Sequence, residues 1–435
     1  TWGIHSPANS NISSQLMNDN HDPEKQRLME VYSGHGNSEI YRNILHTKEL
    51  PSGDFECPLP SDGFEPCCWR AGEIVNQQCV EETGSECNEK ANEIRKEFAK
   101  NSSGLLRFSL VENATQEDWK QCGQLKEAFL PAYTYRPGMS AQAALASQIE
   151  EDNVLKSFKL GLIGSTDNHK ARAGAGYKEF ARKSMGDSWG AKDNLTWILP
   201  PERGASFYST GGLVAVHADR LERNNIYDSL YEREVYATSG ERILLWFDLI
   251  QDEKEIPMGS EVSLGSNPKF TVKALGSYKQ LPGCPEYVHT SMSKEEISRL
   301  CLNECYNPSN ERYLISKIEV VKILPTKKLD SLEKAIQDPW KTFECIDNGQ
   351  GCSFSFEDKE FSNSKENAIY YVRAIQEQTD AVGGDPLRCE YNEEGECIKI
   401  KPCYASGPDF DPSDDCLAPI GERAWSSPIF LNYLN

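Results

Sequence analysis

The stretch Lys159-Leu-Gly-Leu-Ile-Gly-Ser-Thr-Asp-Asn-His169 decides how this chain is read. Leu160 to Ile163 is a short apolar run closed by Gly164, which predicts a buried strand. That strand delivers Asp167 and His169 at its C-terminal tip. Residues two apart in an extended segment point the same way, so the carboxylate and the imidazole can share one target. Both groups are ligands for a divalent ion. The C-terminal tips of parallel strands are where α/β barrels keep their chemistry. The tripeptide alone also fits a plainer role, in which Asp167 caps a turn.

Working outward, the loop continues as Lys170-Ala-Arg-Ala-Gly-Ala-Gly176. Arg172 is an anion-binding candidate there, through its guanidinium and the backbone N–H groups beside the glycines. Next come Gly211-Gly-Leu-Val-Ala-Val216 and Arg233-Glu-Val-Tyr-Ala-Thr-Ser-Gly240. Upstream stands Glu30-Val-Tyr-Ser-Gly-His-Gly-Asn-Ser-Glu39, and near the end Glu422-Arg-Ala-Trp-Ser-Ser-Pro-Ile429. His35, between two glycines past an apolar strand, is exposed and free to coordinate, or else a loop histidine bonded to backbone. Glu39 is a candidate catalytic residue that binds metal or orients His35 by a hydrogen bond; its plainer role is a helix-start acid. Trp425 has the apolar area to anchor the C-terminus. No Gly-x-Ser-x-Gly elbow or phosphate-binding Gly-Lys-Ser/Thr loop is present.

This ordered set of motifs resembles a poorly characterised family related to the polymerase-and-histidinol-phosphatase (PHP) metal-dependent phosphoesterases. The resemblance implies a distorted β/α barrel with a metal cluster, followed by a β-rich region. It implies metal ligation by Asp167 and His169, with zinc, manganese or iron as the ion; His35 is a further ligand candidate from its own position, and His5 is one only if the strand end is rebuilt. It also implies a preceding His-x-His strand that would belong to a longer precursor, because the sequence opens at Thr1-Trp-Gly-Ile-His5. One departure stands out. Where the family carries a ligand histidine, Asn9-Ser-Asn11 is preceded by Ala8.

Composition narrows the partners. The 435 residues carry 67 acidic and 46 basic side chains, a net charge of −21. Nucleic-acid backbones are held by clustered Lys and Arg, so they are not expected as partners. No apolar run approaches the roughly 18 residues of a membrane span. Fifteen cysteines concentrate in polar, loop-like stretches, which predicts disulfides and an oxidising compartment. Four Asn-x-Ser/Thr sequons, at Asn11, Asn101, Asn113 and Asn194, predict a secreted or cell-surface glycoprotein.

The fold class expected is α/β. Residues 1–240 read as a PHP-like barrel portion, with a Cys-rich insertion at about 51–104 that has little core of its own and one charged helix, Glu86 to Lys100. A helix is expected over Met139 to Glu150 and another over Arg220 to Glu232. Residues 241–435 read as a β-rich, sandwich-like domain with disulfide-rich loops, its strands at Ile243 to Ile250, Lys269 to Ala274, Ile315 to Leu324 and Ile369 to Ile375. Two functions fit. One is an extracellular metal-dependent hydrolase, acting on a small-molecule or phosphoester substrate. The other is a catalytically inactive relative that serves as an extracellular structural or interaction protein.

Overall fold

An unbroken run of buried residues from Ala368 to Gln376 makes the strand Ala368–Val382 the central strand of the molecule. The structure, a computed structural model, describes residues 10–34, 36–79, 84–101, 107–115, 117–131, 135–167, 211–346, 348–382, 385, 388–401, 411–415 and 417–434. The central strand pairs antiparallel with Ile315–Ile323 along one edge, and with Leu417–Ser426 and Ile429–Tyr433 along the other. Leu417–Ser426 then pairs with Val235–Thr238, which pairs with Leu213–Val216. The resulting eight-stranded sheet draws strands from both sides of residue 240.

Both faces of this sheet are covered. On one face Val320, Tyr370, Val372 and Ala424 meet Leu245, Phe247, Phe270 and Val272 of a four-stranded antiparallel sheet. That is a β-sandwich core, and its strand pattern follows the period-2 alternation. On the other face Val321, Ile323, Tyr371, Trp425 and Phe430 meet Met29, Val31, Leu162 and the buried helix Ala141–Ala146. Among the described residues no closed barrel forms. Among the described residues the parallel strand pairs are Leu28–Ser33 with Gly161–Gly164 and Glu261–Leu264 with Ile429–Tyr433, besides isolated parallel bridges at Asn37↔Pro131 and Ser147↔Thr326.

The parallel pair abuts the large sheet without joining its ladder. A Cβ on Gly164 would lie 2.7 Å from the Leu213 carbonyl oxygen and 2.9 Å from that of Thr238. One on Gly212 would lie 2.7 Å from the Thr238 oxygen and 2.8 Å from that of Tyr32. Only glycine permits backbones this close.

Three local expectations change. The helix expected over Met139 to Glu150 stops at Ala146, where Ser147 turns extended and Gln148–Glu151 forms a hairpin strand with Val154–Ser157. A second helix, Cys67–Gln78, joins Gly84–Lys100 in the Cys-rich region. That region also has a core, built on Phe98, Phe108 and Trp119, with ring centroids 4.7–5.6 Å apart. Two of these aromatics lie beyond residue 104, so composition up to that point underestimates it. Disulfides Cys57–Cys68, Cys67–Cys122 and Cys79–Cys87 tie the region; Cys284–Cys305, Cys345–Cys352 and Cys389–Cys397 tie later loops. Among the described residues Cys301 makes no disulfide. Among the same residues no helix is long and apolar enough to cross a membrane.

Candidate functional site

Two neighbouring features carry the candidate chemistry. The first is the tip of the parallel pair. The register sets Leu28 against Gly161 and Tyr32 against Gly164, so both strands end together. Ser165 N–H donates to the Tyr32 carbonyl at 3.0 Å, and Ser165 Oγ donates to Glu30 Oε2 at 2.5 Å. Asp167 follows in the left-handed region at φ 49°, which aspartate tolerates better than most residues. Ser33 pairs antiparallel with Gly36, and Gly34 and His35 lie between them in the sequence. His35, His169, His5 and Arg172 lie outside the described residues, as do Ala8 and Asn194. Asp167 and Glu39 are the expected site residues that the structure does place. Among the described residues, no group of three His, Cys, Asp or Glu side chains could hold a metal ion.

The second feature is a polar lattice on the sheet face toward this tip. Cross-strand register builds it: Arg373 sits opposite Glu319 on one side and Trp425 on the other, and Trp425 sits opposite Ala237. Directly opposite residues share a face, so these side chains form one row. Glu39 comes down on that row and is almost wholly buried. Its carboxylate accepts from Tyr371 Oη at 2.6 Å, Trp425 Nε1 at 2.5 Å and Arg373 Nη1 at 3.2 Å. Gln142, on the buried helix, donates to Tyr371 Oη at 2.8 Å and to Asp338 at 2.7 Å. Ser140 caps that helix by accepting from Ala143 N–H at 3.2 Å.

Arg373 carries the charge of the lattice. It pairs with Asp338, with Glu319 at 3.0 Å and with Glu39 at 3.2 Å. Burial opposes its charge, but the carboxylates of Glu39 and Asp338, reinforced by Glu319, outweigh burial and raise its pKa further. Burial, then the charges of Glu39 and Asp338, push the Tyr371 phenol well above its ordinary value, so it stays a neutral donor. Arg373 Nε is buried without a hydrogen-bond partner, so part of the cost of burying the guanidinium is left uncompensated.

Glu39 and Trp425 were readable as special from their motifs. Arg373, Asp338, Glu319, Tyr371 and Gln142 were not, because each lies at least 100 residues from Glu39 and in no motif of its own. The Glu422-Arg423-Ala-Trp425 segment forms an inner strand, with Trp425 fully buried and stacked 5.7 Å from Tyr32. Ser239 Oγ donates to the buried Glu422 carboxylate.

Residues 136–279 match the family described as "Protein of unknown function (DUF3604)". They span the strand-tip segment and the first strands of the sandwich. Over 61 residues the chain is 39% identical to an uncharacterized protein of Chlamydia pneumoniae, and 36% identical to one of Chlamydia trachomatis. Each match covers 14% of this chain and 9% of the relative, so the chain spans a small part of the curated relatives' length. No solved structure matches.

Proposed function

We propose that this chain is a secreted metal-dependent hydrolase of phosphoester-like substrates, with its centre at the strand tips in a partial PHP-like barrel. The observation that carries this reading is the parallel register Tyr32↔Gly164. The strands Leu28–Ser33 and Gly161–Gly164 end together, and in the sequence Gly34-His35 follows the first and Asp167-Asn-His169 lies three residues past the second. In α/β architectures that end is where reacting groups gather. Asp167 would hold the ion together with His35, His169 and His5. Asp167 is the one described member of that set. Glu39 acts as a positioning residue, since Tyr371, Trp425 and Arg373 already occupy its carboxylate. The exposed Asn113 turn and the disulfides suit a glycosylated extracellular protein.

The test is metal content of the natively purified protein by inductively coupled plasma mass spectrometry. One or two equivalents of zinc, manganese or iron are expected, lost in Asp167→Ala together with activity on a chromogenic phosphomonoester. A protein that stays empty when offered those ions overturns the reading.

A second reading is a non-catalytic, disulfide-braced interaction protein. It is favoured by Glu39, whose carboxylate is committed to the lattice instead of being available to a ligand. The metal-free outcome of the same measurement supports it.

A further inference from the structure

A cavity of about 560 Å3 opens on the same sheet face, beside the polar lattice. Its walls include Ile40, Phe129, Lys317, Glu377 and Arg423. The cations along it differ in how they are neutralised. Arg373 has its three carboxylates, Lys317 Nζ lies 2.7 Å from Glu319, and Arg42 Nε lies 3.8 Å from Glu127. Arg423 is different. Its Cζ lies 3.8 Å from the Phe129 ring centroid, and its Nε donates to the Gly421 carbonyl at 3.5 Å. Among the described residues no carboxylate forms an ion pair with it. Burial, and then the like charge of Arg373, push its pKa down to about 10, so it is still a cation at neutral pH.

A half-buried guanidinium against an aromatic face, with no contacting acid, gains most from an anion that meets its planar donors. The surroundings limit that anion's charge. Five carboxylates, those of Glu39, Glu127, Glu319, Asp338 and Glu377, line the cavity. A second negative charge on the ligand would be repelled by these groups, and the apolar surfaces of Phe129 and Ile40 suit a carbon skeleton. We propose that this cavity binds a small monocarboxylate, anchored on Arg423 and stacked along Phe129. Its failure leaves the strand-tip metal reading untouched, because neither Arg423 nor Phe129 belongs to that reading and the readout involves no metal ion.

The experiment uses the full chain and three probes at constant ionic strength: benzoate, inorganic phosphate and benzylammonium, followed by isothermal titration calorimetry. Benzoate is expected to bind saturably and one to one, more tightly than phosphate, with no binding of benzylammonium. Arg423→Gln is expected to weaken benzoate by about tenfold or more, the scale of one charge-assisted bidentate contact. Arg423→Lys should recover part of the loss. Because Arg423→Gln could unfold the strand, a second measurement uses the unmodified protein. Phenylglyoxal should label Arg423, and benzoate should slow that labelling several-fold where chloride does not. Absent benzoate binding, an unchanged affinity in folded Arg423→Gln, missing protection, or tighter phosphate or benzylammonium binding would each overturn the proposal.

Discussion

Glu39 shows how one buried side chain ties distant segments together. Its two oxygens take a phenol, an indole and a guanidinium from residues more than 300 positions away. Replacing it by glutamine keeps the volume but brings in an amide NH2 that must face one of these donors. It also removes one of the three carboxylates around Arg373. Breaking a buried pair outright costs about 3–5 kcal/mol, and a lost hydrogen bond to a charged group about 1.5–3 kcal/mol. Asp338 and Glu319 still neutralise Arg373, so Glu39→Gln should lose about 2–4 kcal/mol in urea unfolding. A loss under about 0.5 kcal/mol would mean that the lattice is not a unit. The motif around Glu39 advertised a special acid, but not its use. A motif reports local chain order, whereas this acid's partners are set by cross-strand register between remote strands. The same limit explains why Asp167 was legible at a strand tip while Arg373 was invisible.

Elements were legible where their period was strong and unbroken. The strands Leu244–Gln251, Lys269–Leu275 and Ile315–Ile323 begin and end close to where apolar alternation puts them. The helix Cys67–Gln78 was missed because its buried face is Cys67, Cys68, Ala71 and Ile74, where disulfide chemistry masks the apolar pattern. The Ala-rich run ended early because Ser147 bridges Thr326 and Gln148–Glu151 pairs in a hairpin, so tertiary context overrode propensity. Strand Leu244–Gln251 also carries a pH dependence. Phe247 and Leu249 point into the sandwich, while Asp248 between them faces outward, half-buried. Burial, then the charges of Glu255 and Glu234, push its carboxyl up to about 6. The unfolded value is about 4. A raised acid pKa favours the protonated folded form, so this stabilisation is full below about pH 4 and is lost as pH rises through about 6. Asp248→Asn removes the titrating charge. Its melting temperature should match the parent's near pH 4 and exceed it at pH 7–8. An equal difference at both pH values would show that Asp248 titrates as it does in water.

At the scale of the whole molecule, the central strand joins two cores. Tyr370, Val372 and Ala374 belong to the sandwich; Ile369 and Tyr371 belong to the layer that carries the strand tips. Both edges of Ile369–Ala374 are hydrogen-bonded, to Ile315–Ile323 on one side and to Leu417–Ser426 or Ile429–Tyr433 on the other. Sequence patterning foretold a strand here but not its length or its double burial, since periodicity names a face without naming what covers it. Amides with both edges and both faces occupied exchange only when the molecule opens globally. Hydrogen exchange should therefore find Ile369 to Ala374 and Ile318 to Ile323 among the slowest amides, with identical opening free energies. The Cys-rich region has its own aromatic core and is tethered by Cys67–Cys122, so it can open without the central strand. Adding a reductant should speed exchange in Cys67–Gln78 and Gly84–Lys100 first, because lost disulfides relax the loops that hold two short helices together. If reduction instead released the central strand and the Cys-rich helices together, the two would be one cooperative unit, and the three disulfides would be holding the whole fold rather than a separable cap.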